Sequence, residues 1–371
     1  MFELRGKLSN SQSLTLGIAG VAVLILAWWA MAELLSRQIP VVEGFNTELP
    51  SGLTQDSLQN AVLRDSILAA DSTKMANATE FKKVYPMIPL PLDVVKSYGR
   101  LASKDRLFAN AVRSIWLNLQ GYFWAVLLCV PIGFLVGLIP LFRGLFSKPV
   151  DAMRYLPLTA LIGVFIIWFG IYDEMKVAFL AFGIIVFLLP TVIQRIDEVE
   201  DVYLRTSFTL GASNWQTIKT VYFPAVMGRL IEDIRVLTAV SWTYIIVAEY
   251  INKDGGGLGA LIYIKRRLQQ MPDMFAIILL IVFIGFMQDR IFVYLSKRLF
   301  PYRFYKTTLP GNLEIRYGIW MLLAILAVAV FQKILLPDLG SIATLAMIGS
   351  IAAIVFILYG EFKIQTSFNE N

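Results

Sequence analysis

The sequence predicts an all-α, polytopic membrane protein, and three observations carry that reading. Hydrophobic residues fill 57% of the 371 positions and charged residues only 16%, with a mean hydropathy of +0.66, far from the composition of soluble domains. The apolar residues gather in runs, several of them long enough to cross a hydrocarbon core of about 30 Å. The remaining charges sit between those runs, so the net charge of +6 speaks to topology before partners and gives no footing for nucleic acid. The single cysteine, Cys129, excludes an intrachain disulfide framework. The lack of histidine removes His-based acid–base catalysis and the usual His metal sites. No G-x-x-x-x-G-K-[ST] string occurs, so the chain has no P-loop of its own. No catalytic residue, metal site or cofactor is expected.

A short polar tail with Arg5 and Lys7 precedes the first apolar run, Thr15 to Leu35, where Trp28 and Trp29 suit an interface belt. Ala30-Met31-Ala32 also looks like a signal-cleavage site, but the length of the run favours a retained helix. Residues 37–85 are polar and mixed. Leu58, Ala61, Val62, Asp65 and Leu68 fall at near-helical spacing, which allows a short amphipathic helix or a solvated linker. After Pro86, Pro89 and Pro91, apolar residues return every three or four positions from Leu92 to Trp116 among Lys96, Arg100, Lys104, Arg106 and Arg113. That pattern predicts an interfacial amphipathic helix leading into the next span.

Gly121 to Leu141 is the second span, with Gly121, Gly133 and Gly137 (and Gly144 just beyond) suited to close helix packing. Phe142 to Arg154 reads as a basic loop. Tyr155–Ile171 and Lys176–Ile193 are the third and fourth spans, turning at Asp173 and Glu174. Val236–Ile251 is the fifth, and Phe275–Met287 begins the sixth. Several of these core runs are shorter than an ideal lipid-facing helix. Tyr317–Phe331 and Ile342–Tyr359 are two further spans joined by a Pro337-Asp338 turn. The expected domains are 1–36 (tail and first helix), 37–118 (extracytoplasmic insert and interfacial helix), 119–300 (core, with a polar loop over 197–226) and 301–371 (linker and two added helices).

The polar loop is the most informative stretch. Leu204 to Val226 reads as two short helical pieces joined at Gly211, where glycine allows a bend without Cβ strain. Arg205, Thr206 and Ser207 lie on the first piece. The second runs from Asn214 to Tyr222, carries Trp215, and is ended by Pro224.

Gly211, Val221, Phe223 and Pro224 fall on the Gly, Ile, Leu and Pro positions of a known pattern: Glu-Ala-Ala, three residues, Gly, nine residues, Ile, any residue, Leu-Pro. The loop therefore resembles the signature loop of permease subunits of binding-protein-dependent ABC importers. The Glu-Ala-Ala positions hold Arg205, Thr206 and Ser207, so a base replaces the acid. Pro149 to Ile171, and Val247 to Leu258 with Glu249, Gly257 and Gly259, resemble the nitrate/sulfonate/taurine/bicarbonate group of these permeases. The resemblance covers roughly residues 86–303. It implies a type I importer permease core of about six transmembrane helices, here with two extra C-terminal helices whose role it does not supply. It also implies a second permease chain in a homodimer, separate ABC ATPase subunits docked on the coupling loop, and an extracytoplasmic substrate-binding protein. A small, anionic solute would move inward by alternating access.

With the amino terminus in the cytoplasm, the loops at 142–154, 197–226 and 297–316 fall inside with most of the short-loop bases, and the carboxyl terminus returns inside. The expected location is the inner membrane. The segment 252–273 violates the charge rule with Lys253, Lys265, Arg266 and Arg267. Such a set suits an electrostatic funnel for an anion, or contact with lipid headgroups or an acidic partner face. Glu249 is an ionisable group at membrane depth and a pathway candidate, or the partner of Lys253 four residues on. Trp168 and Trp242 are further pathway candidates, with plain helix packing as the alternative. Asp289 and Arg290 suggest structural ion pairing with neighbours. Arg205 suits a pair with an acidic residue on the ATPase partner, or equally with Glu198 or Glu200. Two other functional classes remain: a non-transporting scaffold that keeps the permease fold, and a membrane-embedded enzyme, for which the carboxylates and hydroxyls are too scattered.

Overall fold

The computed structural model describes residues 9–40, 81–305, 310–335 and 343–369. The amphipathic segment expected around Leu58–Leu68 and the Pro337-Asp338 turn lie outside the described residues. The chain divides into two compact units, Met1–Lys104 with Lys265–Ala276, and Asp105–Ile264 with Ile277–Asn371.

In the first unit, α1 (Asn10–Leu34) opens with a capping box in which Ser9 and Gln12 satisfy each other's backbone amides. Strands β1 (Arg37–Pro40) and β2 (Phe81–Val84) pair antiparallel, Arg37 opposite Val84. The pair is tied to the end of α1 by the Lys83–Glu33 ion pair and by Tyr85 donating to Glu33 at 3.0 Å. Helix α2 (Pro91–Lys104) buries Val94, Ser97 and Leu101, the stripe that the three-to-four spacing predicts. Trp28 donates to the carbonyl of Pro89 and packs against Phe275, so this tryptophan serves tertiary packing.

The second unit holds most of the long helices: α3 (Leu107–Leu138), α4 (Pro140–Ala152), α5 (Ile162–Phe169), α6 (Asp173–Asp197), α7 (Asp201–Thr209), α8 (Asn214–Thr217) and α9 (Phe223–Ile251). Helix α10 (Leu258–Arg267) and helix α11 (Met271–Leu299) follow, then α12 (Asn312–Leu335) and α13 (Ala343–Asn369). Among the described residues seven helical stretches are long and apolar enough to cross a membrane, and α4 with α5 forms a bent pair at 93°. The protein is an all-α, multi-pass membrane protein.

Helix α3 packs along α6, and α6 along α9. Gly121, Gly133 and Gly137 face Leu180, Val192 and Ile196 of α6 so closely that an added Cβ would overlap each. Gly144 faces open space. Phe165, Met175, Phe179 and Ala248 form a core among α5, α6 and α9. Helices α12 and α13 form a hairpin in which Gly318 meets Ile357, and Gly360 meets Ile315.

Several expectations are corrected. The interfacial helix does not run on to Trp116. It stops at Lys104, because Arg106 adopts φ +51°, and the remainder opens α3. The loop expected at 142–154 is helical. The third span is not straight: Leu156 is extended, Pro157 follows it, and two 3₁₀ turns separate α4 from α5. Gly170 at φ +73° then ends α5 after eight residues. The helices of the fourth, fifth and sixth spans are 25, 29 and 29 residues long, longer than the apolar runs because polar residues complete their ends.

Candidate coupling and translocation sites

Two polar constellations stand at opposite ends of α9. At its start lies the two-piece loop. Helix α7 ends at Thr209, and Gly211 turns the chain at φ +75°, a backbone region that costs most other residues strain. Ser213 caps α8 through a second capping box with Gln216. Across the turn, the Ser207 and Thr217 hydroxyls share a hydrogen bond of 3.1 Å, which fixes α7 against α8. Polar residues thus hold the loop from inside while its large apolar ones face out. Trp215 is 72% exposed, Leu210 82%, and Val202, Tyr203 and Phe208 are exposed as well.

Pro224 does not end the second piece. Ile218–Tyr222 forms a π turn in which the Phe223 amide donates to Ile218 five residues back, and Pro224, with no amide to give, enters the first turn of α9. Val221 and Pro224 are half-buried, and the exposed Phe223 ring lies 6.0 Å from that of Phe134.

The loop entrance is ion-paired. Arg195 bonds Asp233 through two nitrogens, at 2.7 and 2.8 Å, and Glu198 at 2.6 Å. Arg229 also reaches Glu198, and Arg143 bonds Asp197 at 2.6 Å. Glu198 is therefore engaged by Arg195 and Arg229, and Arg205 and Thr206 are exposed on α7. The Arg195 hydrogen bond holds the Glu198 carboxyl below the usual glutamate range, against an opposing effect of burial.

At the far end of α9, Glu249 is completely buried. Ser114 of α3 donates to its carboxylate at 2.7 Å, and the Gly259 amide donates to Oε2 at 2.8 Å. Ser114 in turn accepts from the Leu258 amide, and Asn110 accepts from that of Gly257. The carboxylate thus caps the start of α10, where negative charge is favoured. Gly257 has φ +112°, and a Cβ there would strike the Glu249 carboxylate. Beside this loop, the buried Lys176 donates to the Asp254 carbonyl at 2.6 Å, and Arg113 pairs with Asp173 at 2.7 Å.

These contacts correct the pairing expected for Glu249. Lys253 lies over the Tyr263 ring, 3.9 Å from its centroid. Lys265 does not face a funnel: it is 4% exposed, 3.2 Å from the buried Asp273, which Arg100 also pairs. Arg266 and Arg267 are exposed. Trp242 is buried and donates to Gln288 at 2.8 Å, the packing alternative, whereas Trp168 is exposed on α5. Asp289 pairs with Arg235 at 2.5 Å, and Arg290 stacks over Phe286.

Sequence reasoning missed Ser114, Asn110 and Lys176. Lys176 carried a signal, a lone base near the start of an apolar run with Asp173 three residues before it. Ser114 and Asn110 carried none. Among the described residues no group of acids and cysteine is arranged to hold a metal ion.

The chain is a multi-pass helical membrane protein that carries a two-piece polar loop with an apolar outer face. Residues 129–301 match the family described as binding-protein-dependent transport system inner membrane component. The chain is similar to curated ABC importer permeases of taurine, sulfonate and bicarbonate transport systems. The taurine transport system permease protein of Escherichia coli strain K12 is 24% identical over 300 residues, covering 81% of this chain and 94% of the relative. A putative aliphatic sulfonates transport permease protein of Bacillus subtilis strain 168 is 24% identical over 217 residues, 58% of this chain and 78% of the relative. Among solved structures, an inward-facing form of the MetNI methionine ABC transporter matches 52% of this chain and 98% of its own at 18% identity and a TM-score of 0.46.

Proposed function

We propose that this permease carries a small anionic solute inward by alternating access, and that α7 and α8 dock on a separate ABC ATPase that supplies the energy. The observation that carries the reading is the loop itself. Trp215, Leu210 and Phe208 are held out by internal hydrogen bonds, which is costly in water and favourable in a partner groove. The sequence contains no P-loop string, which fits an ATPase on a separate subunit.

The names of the taurine and sulfonate relatives support a sulfonate or similar oxyanion as solute. We assign attraction of that anion to Arg266 and Arg267, whose guanidinium donors come in pairs; Trp168 is a separate pathway candidate. Glu249 acts on the pathway indirectly, by holding the glycine turn. The working form is a homodimer in the inner membrane, with both termini cytoplasmic and an exported binding protein outside.

The test is a mild-detergent pull-down of the tagged full chain from native membranes, with partners identified by mass spectrometry. Recovery of a P-loop ATPase and an exported binding protein is expected, as is its loss from Trp215→Glu. A chain that retains neither partner, under conditions that hold a control transporter together, sinks the reading.

A further inference from the structure

The two added C-terminal helices are joined physically to the start of α9. The chain leaves α11 at Leu299 and makes a 3₁₀ turn at Pro301–Arg303. From that turn Tyr302 donates to the Pro224 carbonyl at 2.6 Å. Arg303 donates to the Gly228 carbonyl and lies 3.0 Å from Glu232. Gly228 admits this contact, since a Cβ there would meet the Tyr302 hydroxyl and the Arg303 side chain. Pro224 and Gly228 occupy the first turns of α9, directly after the π turn that continues α8.

The same end of α11 is gripped by the hairpin. Glu361 of α13 accepts from Tyr294 at 2.6 Å and from Arg298 at 2.5 Å. Ile315, Ile319 and Ile364 pack on Leu295 and Leu299. At its other end, Phe331 of α12 meets Phe123 and Trp124 of α3 edge-on. Glu361 thus holds the end of α11 at Tyr294 and Arg298, and the turn that follows directly along the chain holds the root of the polar loop through Tyr302 and Arg303.

We propose that Tyr302 and Arg303 are positioning residues for energy coupling, and that the C-terminal hairpin braces them through Glu361. The brace fixes the angle at which α7 and α8 meet the ATPase. Two charge-assisted contacts from Arg303 and a neutral hydrogen bond from Tyr302 act on backbone carbonyls and Glu232, so side-chain changes in the loop itself do not release them. This inference rests on the coupling reading above and extends it to residues outside the loop.

The test uses the full chain in lipid nanodiscs on a Cys129→Ser background. Spin labels at Leu210→Cys and Leu141→Cys report the position of the loop. Tyr302→Phe, Arg303→Ala and Glu361→Gln are expected to broaden the label-to-label distance distribution, and Arg303→Lys to narrow it again in part. In complexes purified with their ATPase, the same three variants are expected to lower ATP hydrolysis per bound ATPase by about five-fold. Glu314→Gln, which breaks only the hairpin's own ion pair with Lys363, is expected to leave both readouts at the wild-type level. Distance distributions unchanged in all three variants overturn the brace. Broadened distances with unchanged hydrolysis overturn its role in coupling. If the wild-type chain binds no ATPase, the coupling reading fails, while the distance measurement still decides whether the brace exists.

Discussion

Ser207 and Thr217, ten residues apart, share a buried hydrogen bond that joins the two pieces of the polar loop. The residues between them place Leu210 and Trp215 in solvent, so the shape of the docking face depends on this hidden pair. Thr217→Val removes the hydroxyl while keeping the volume. The expected result is a several-fold loss of ATPase capture in the pull-down, with the melting temperature of the detergent-solubilised chain lowered by the equivalent of about 1 kcal/mol. Full capture by this variant would show that the loop holds its shape without the bond.

Glu249 predicts a larger effect on stability. Glu249→Ala leaves the buried Ser114 hydroxyl without its acceptor and the Gly259 amide unpaired. The expected cost is about 2–3 kcal/mol, read as a fall in thermal stability. Faster hydrogen exchange confined to residues 253–262 would mark release of the glycine turn.

The α3–α6 contact is closed by glycine. Gly133→Leu forces an isobutyl group into Val192, and overpacking of this kind costs about 1–3 kcal/mol. The matching change at Gly144, where a Cβ meets nothing within 4 Å, is expected to be silent. Equal melting temperatures for the two variants would count against this packing.

The loop entrance is expected to respond to acid. The Glu198 carboxyl is depressed by its hydrogen bond to Arg195, so its contribution is fully present above the ordinary glutamate value of about 4.3 and is lost as pH falls through its lower folded value. Proteolysis between α6 and α7 is expected to rise below about pH 4.5 in the wild type. Glu198→Gln should be cut at a rate independent of pH across that range.

Sequence patterns made the helical spans and the two-piece loop legible because apolar runs and a glycine joint are local signals. The glycines of α3 were legible for the same reason, as small residues on one apolar helix. The break between α4 and α5 was hidden because Leu156 to Ile171 is apolar throughout, and hydropathy does not register an extended residue before a proline. The continuation through Pro224 was hidden by the usual behaviour of proline, which a π turn sidesteps. The fate of the bases at 253–267 and of Glu249 was decided by tertiary packing. Lys265 found Asp273 and Lys253 found Tyr263, while Glu249 found Ser114, 135 positions away. No spacing rule reaches that far.

The π turn at Ile218–Tyr222 removes a joint. From Asn214 to Ile251 the chain is helical without interruption for 38 residues, about 57 Å at 1.5 Å per residue. Trp215 rides on one tip of this rod and Glu249 sits close to the other. The exposed face of the polar loop and the glycine turn are therefore carried on one unbroken helix, which packs along α6.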